Sequence, residues 1–134
     1  FSHRHRGEID QELNKVINSK VSYSFTPNLI PTYRGLISCI YVDKSIGINI
    51  NKIHRELTNY YKKSFFIKVV KINKNIGTEN VLNTNFCEIS ICKLISKNKI
   101  LIISTIDNLI KGAGGQAIQN MNLLFGLKEN LGLK

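Results

Sequence analysis

The run Ile100-Leu101-Ile102-Ile103 is apolar at four consecutive positions, so a strand built from it has no face to offer to water. It must be covered on both sides or lie in an interface. That requirement organises the rest of the chain around it. Phe86 to Leu94 reads as a second strand, and the polar stretch Ser96-Lys97-Asn98-Lys99 predicts a hairpin between it and Ile100 to Ile106. Upstream, Val21, Tyr23 and Phe25 alternate with Ser22, Ser24 and Thr26, the period of a half-buried strand that Pro27 ends. Gly35 to Val42 is apolar at odd and even positions alike and is expected as a central strand, and Phe65 to Val70 resumes strand character.

Helices are marked by a different spacing. Ile9, Leu13, Val16 and Ile17 place one apolar stripe on a helix over residues 8 to 18, a stripe expected to face a core. Ile53, Leu57, Tyr60 and Tyr61 mark a second helix with Asn51 as its expected N-cap. Ala117, Met121 and Leu124 form the stripe of a third, from about Gly114 to Phe125. The order αββαβββα, with short connections, predicts an α+β domain: a mixed, mostly antiparallel sheet with helices on one face.

A length of 134 residues leaves room for one compact domain, spanning residues 1–134, and not for a second. No strand is followed by GxGxxG, so the chain carries no dinucleotide fingerprint of its own. The net charge of +10 favours an anionic partner, although basic residues scattered among Asn and Ile can also reflect compositional bias. A nucleic-acid module lacks its usual signatures here, whether helix-turn-helix, finger spacing or a basic-aromatic RNA motif. The three cysteines, Cys39, Cys87 and Cys92, sit in apolar strand-like settings without CxxC spacing. They read as buried small side chains in a reducing, cytoplasmic setting, and no metal site is expected. No apolar run approaches the roughly 20 residues of a membrane span. A start without Met, directly on a polar motif, is what a piece of a longer protein would show.

Three clusters can carry chemistry. His3-Arg4-His5 with Glu8 offers imidazoles for acid/base work and a guanidinium for an anionic oxygen, or it is simply a solvated basic terminus. Between Pro27 and Pro31 a stiff loop leads to Arg34 and Gly35; it either holds the arginine for binding or serves as a structural corner. Asp107 to Asn120 runs from a buried strand through Lys111-Gly112-Ala113-Gly114-Gly115 into a helix, which leaves backbone N–H groups for an anion or permits close packing.

Taken together and in order, HRHxxEI, FTPxLxPxxRG and IDNLxKGAxGQAxQNMNLxFGLxExxGL resemble the C-terminal half of N-acetyl-γ-glutamyl-phosphate reductases, from His3 to Leu133. The resemblance implies a C-terminal domain of the glyceraldehyde-3-phosphate dehydrogenase-like kind. It further implies a preceding Rossmann domain that binds NADPH and bears the nucleophilic cysteine, which displaces phosphate from an acyl phosphate to give a thioester that hydride then reduces to a semialdehyde. That cysteine lies in a Gly-Cys-Tyr context, which none of Cys39, Cys87 and Cys92 shares, so the chain alone is expected to be inactive. By the same resemblance the acid/base is His5 or His3, with His5 preferred for its nearness to the helix. Arg4 and Arg34 orient the anionic substrate, and Asn108, Lys111, Gly112 and Ala113 border the NADP cofactor, which the missing domain mainly binds. The implied partners are an N-acetyl-glutamyl phosphate-type molecule, the protein's own Rossmann domain, toward which the helix at about 114–127 would pack, and further copies in a dimer or tetramer. Nucleic acid and membrane are not among them. A shorter form of the last motif is shared with aspartate-semialdehyde dehydrogenases, and the alternative reading is a domain of a related semialdehyde dehydrogenase such as the aspartate or N-acetyl-aminoadipate enzyme. Two positions depart from the family's pattern: Gly7 stands where proline is usual and Gly114 where alanine is usual, each loosening a helix start.

Overall fold

The computed structural model describes residues 3–17, 21–44, 49–96 and 98–134, arranged as two compact units, one ending at Thr32 and one running from Tyr33 to Lys134. Asn18, at the end of the expected first helix, and Lys97, in the expected hairpin turn, lie outside the described residues.

In the first unit, α1 spans His5–Val16, so the helix begins inside the histidine motif rather than after it. Its apolar stripe does not close a core: Ile9 and Leu13 are half-buried, whereas Val16 is 83% exposed. The expected strand at Val21 to Phe25 is likewise corrected. Its odd residues are half-buried and its even ones exposed, as the alternation requires, yet it has no ladder partner among the described residues. It is tied instead by the Tyr23 hydroxyl, which donates to Asp10 Oδ1 at 2.8 Å on α1. Alternation fixes which side chains turn inward; a strand also needs a neighbour for its backbone.

The second unit is an α+β domain. Its elements are β1 (Leu36–Asp43), α2 (Ile50–Tyr60), β2 (Ile67–Val69), β3 (Cys87–Lys93), β4 (Lys99–Ile106), a π-helical turn (Ile110–Gly114) and α3 (Gly115–Leu124). The sheet runs β1-β4-β3-β2, antiparallel except for the β2–β3 pair. β4 lies between β1 and β3 and pairs with β3 as the expected hairpin, but of its apolar run only Ile100 is buried while Leu101, Ile102 and Ile103 are half-buried, so the cover expected on both faces is incomplete within this chain. β1, expected to be central, is instead an edge strand, with Leu36, Ile37, Ile40, Tyr41 and Val42 all exposed. Apolar residues on both faces signal coverage from both sides, and nothing in that pattern says that the cover must come from this chain.

The polar connector lies over one side of β3. There the Ser90 hydroxyl donates to the Lys74 carbonyl at 2.6 Å, and Asn80 Nδ2 donates to Glu88 Oε2. α2 packs on β2 and β3, with a 2.9 Å hydrogen bond between His54 Nε2 and the Val70 carbonyl. Its cap is Asn49, not Asn51: the helix starts earlier than its apolar stripe suggests, and the Asn49 side chain accepts from the Asn51 N–H. Tyr60, expected on the inward stripe, is 79% exposed.

α3 is turned opposite to its apolar pattern. Ala117, Met121 and Leu124 face out, and the buried positions are Gly115, Gln119 and Asn122. Burial of these amides is tolerable because each is bonded. Asn122 Nδ2 donates to the carbonyls of Glu129 and Leu131, and Gln119 Nε2 donates to Glu129 Oε1 at 2.7 Å. Gln119 Oε1 in turn accepts from Asn85 Nδ2 and from Lys111 Nζ. The amides thus staple the C-terminal segment onto the helix, and the apolar stripe is left outside. Among the described residues no helix is long and apolar enough to cross a membrane.

Candidate functional site

Sheet register gathers one group of functional side chains. Leu36 and Cys87 both pair with Ile106, so the residues before β1, before β3 and after β4 meet at one end of the sheet. Asp107 is the hub. Its fully buried carboxylate accepts from Asn83 N–H at 2.7 Å, Leu109 N–H at 2.9 Å and Ile110 N–H at 3.3 Å, and stands 3.4 Å from Arg34 Nη1. Arg34 Nη1 also donates to Asn83 Oδ1. An ionised carboxylate surrounded by backbone donors and one guanidinium is the arrangement that makes such burial affordable.

Gly35 lies at φ +102°, and its N–H donates to Asn108 Oδ1 at 2.7 Å. That bond fixes which end of the Asn108 amide is oxygen, and Nδ2 then has no partner among the described residues. Arg34 and Asn108, both anticipated, are thus brought into one cluster. Asp107 and Asn83 join them unanticipated. For the first the sequence offered only a weak signal, an acid directly after a largely apolar strand; Asn83, in a polar loop at φ +60°, offered none.

The glycine-rich turn continues from this cluster. Lys111 points inward, its ammonium donating to Gln119 Oε1 at 2.6 Å and lying 5.5 Å from the centre of the Phe66 ring. Burial pulls its pKa below the ordinary lysine value, while Cys87 and Glu129 pull it back up. Gly112 and Ala113 are exposed, and Ala113 leaves helical geometry at φ −147°, ψ −113°. The four positions anticipated around a cofactor thus fall within six consecutive residues, but the cation among them is already engaged within the domain.

The first unit holds the remaining candidates. His3 packs edge-on against Phe25 with ring centres 5.3 Å apart, and against His5 at 4.9 Å. The His5 N–H donates to His3 Nδ1 at 3.3 Å, which leaves the neutral ring's proton on Nε2. His3, Arg6, Tyr23, Ser24 and Phe25 line a recess of about 280 Å³. His5 and Arg4 are exposed. Arg6 and Tyr23 were not anticipated, although their spacing to His3 and Phe25 put them within reach.

The second unit is thus an α+β domain with an edge strand left exposed on both apolar faces and with charged and amide side chains pooled at one sheet end. The chain belongs to the semialdehyde dehydrogenase dimerisation-domain family, whose model matches residues 1–108. An N-acetyl-gamma-glutamyl-phosphate reductase from Clostridium botulinum is 47% identical over 131 residues, covering 98% of this chain and 38% of that protein. The proteins of the same name from Thermoanaerobacter pseudethanolicus and Vesicomyosocius okutanii are 43% and 46% identical, over 131 and 132 residues, with 98% of this chain and 38% and 37% of those proteins covered. The chain therefore spans about two fifths of the length of these curated relatives.

Proposed function

We propose that this chain is the C-terminal, substrate-facing domain of a cytoplasmic, NADPH-dependent N-acetyl-γ-glutamyl-phosphate reductase, which converts an acyl phosphate to a semialdehyde in arginine biosynthesis. The observation that carries the proposal is the likeness along 98% of the chain to the C-terminal part of reductases of that name. The Arg34–Asp107–Asn108–Gly35 cluster supports it, because the fold brings together a partly exposed guanidinium and an amide donor without a partner among the described residues. Arg34 is the candidate of this cluster for an anionic group of the substrate, and Arg4 is the first unit's own candidate for the same kind of contact.

The residues present fit the nicotinamide end of the cofactor. Asn108 Nδ2, without a partner among the described residues, is a donor suited to a carboxamide oxygen, and Gly112 and Ala113 nearby in sequence are exposed. When bound, the cofactor supplies the hydride. Lys111 serves better as an internal anchor than as a phosphate contact, since its ammonium is held by Gln119.

For the acid/base, His3 has more support than His5. Its ring is set edge-on against Phe25 and lines the recess with Arg6 and Tyr23, so its position is defined where that of the exposed His5 is not. The exposed apolar face of β1 would bury itself against a second copy, and the outward stripe of α3 against the N-terminal domain.

The test is NADPH-dependent acyl-phosphate reduction by the intact parent protein, with His3→Asn and His5→Asn made separately. His3→Asn should lower kcat by about a thousandfold or more and His5→Asn by less than about tenfold. An inactive wild type would overturn the reductase reading; equal losses in the two variants would overturn only the choice of His3.

A further inference from the structure

We infer that Asn83 is a positioning residue for this reaction, fixing the Arg34 guanidinium in the orientation that receives the substrate's anionic group; the inference rests on the reductase reading above. Asn83 sits at φ +60°, a left-handed conformation that asparagine adopts more readily than most residues with a side chain. What the side chain adds is one bond: Oδ1 accepts from Arg34 Nη1. Its backbone contributes to the same ion pair, because the Asn83 N–H donates to Asp107 Oδ2 at 2.7 Å, the oxygen that faces Arg34 Nη1 at 3.4 Å. Arg34, Asn83 and Asp107 therefore close a ring in which each member touches the other two.

The ring engages only one edge of the guanidinium. Nη1 is held by Asn83 and Asp107, while Nε and Nη2 have no acceptor among the described residues, and the side chain remains 25% exposed. Nε is buried, so Nη2 is the nitrogen left to donate to an oxygen of a carboxylate or a phosphate. Asp107 alone would leave the guanidinium free to pivot about a single long contact. A second acceptor on the same nitrogen removes that freedom and turns Nη2 in one direction. Asn83 need not touch the substrate for this.

The test uses the intact reductase with Asn83→Gly, which keeps the left-handed backbone and the N–H to Asp107 but deletes the acceptor. The KM for the acyl phosphate should rise about tenfold, with kcat and the KM for NADPH within about twofold of wild type. Asn83→Asp, which retains an acceptor oxygen, should restore the wild-type KM. With Arg34→Lys already present, Asn83→Gly should add nothing further, because the guanidinium it orients is gone. An unchanged KM in Asn83→Gly overturns the inference. So does a fall in kcat at constant KM, or an equal proportional rise with and without Arg34→Lys. Should the glycine variant not accumulate, Asn83→Ser, whose hydroxyl is too short to reach Nη1, is read by the same outcomes. A wild type without acyl-phosphate reductase activity removes the underlying reading; an active wild type beside an unaffected Asn83→Gly removes this inference alone.

Discussion

The Gly35 N–H donates to Asn108 Oδ1 at 2.7 Å across a sequence separation of 73 residues, joining the start of β1 to the turn that follows β4. It is a bond that only an unhindered backbone can make. At φ +102°, with the position of a Cβ falling 2.7 Å from Thr78 Cγ2, Gly35 has room for no side chain.

Gly35→Ala should therefore destabilise the domain by about 1–3 kcal/mol, through backbone strain and displacement of Thr78. Urea denaturation followed by circular dichroism measures it. A midpoint equal to that of the unmodified chain would refute the steric account.

Two adjacent glycines separate packing from conformational freedom. A Cβ on Gly115 would lie 2.5 Å from Asn85 Oδ1 and 2.8 Å from the Ile110 carbonyl, whereas one on Gly114 meets nothing within 4 Å, and Gly114 has helical dihedrals, φ −60° and ψ −38°. Gly115→Ala should cost about 1–3 kcal/mol by overpacking. Gly114→Ala should add about 0.4–1 kcal/mol by stiffening the unfolded chain. Similar denaturation midpoints for the two variants would contradict the assignment of Gly115 to close packing.

Alkaline stability should show two opposed trends. Burial raises the Cys87 thiol pKa, partly offset by its hydrogen bond to Ser104 and by Lys111. The folded thiol keeps its proton where the unfolded one loses it, so this stabilisation is whole below the ordinary thiol pKa and is lost as pH climbs through the folded value. Burial lowers the Lys111 pKa, so there the unfolded chain binds the proton more tightly and stability rises with pH between the folded and ordinary lysine values. In urea titrations over about pH 7 to 10, Cys87→Ala should lose the falling limb and Lys111→Met should steepen it. The reverse pattern would refute the burial of these two groups.

The outward stripe of α3 should be silent in this chain and felt in the whole protein. Met121 and Leu124 are 47% and 81% exposed, so Met121→Lys and Leu124→Lys should change the stability of the isolated chain by less than about 0.5 kcal/mol. In the parent protein the same changes should lower Tm measurably, if this stripe docks on the N-terminal domain. An unaltered parent Tm would leave the stripe without that role.

Much of the fold was legible because local chemistry repeats along the chain. The hairpin of β3 and β4 follows from the polar turn between them, and the α+β class from the change of period between strands and helices. The same logic misplaced β1 and inverted α3. An apolar residue declares that it will be covered but not by what, and the faces of β1 and α3 that the sequence marks as inward are exposed on this chain. The real inner face of α3 is amide-bearing, and amides can be buried only where partners distant in sequence await them, as Glu129 and Asn85 await Gln119.

At the candidate site, Arg34 and Asn108 could be picked out beforehand through the motifs around them. Asp107 and Asn83 could not be ranked with them, since a buried carboxylate and a left-handed asparagine acquire meaning only from what surrounds them. By itself, the sequence determined the family, the kinds of element and the residue types available for binding, because each is written in short-range spacing. The tertiary structure alone decided which of those residues share a hydrogen-bonded ring, which cation is spent internally and which apolar faces await a partner. Register and burial depend on segments many residues apart, which no local pattern records.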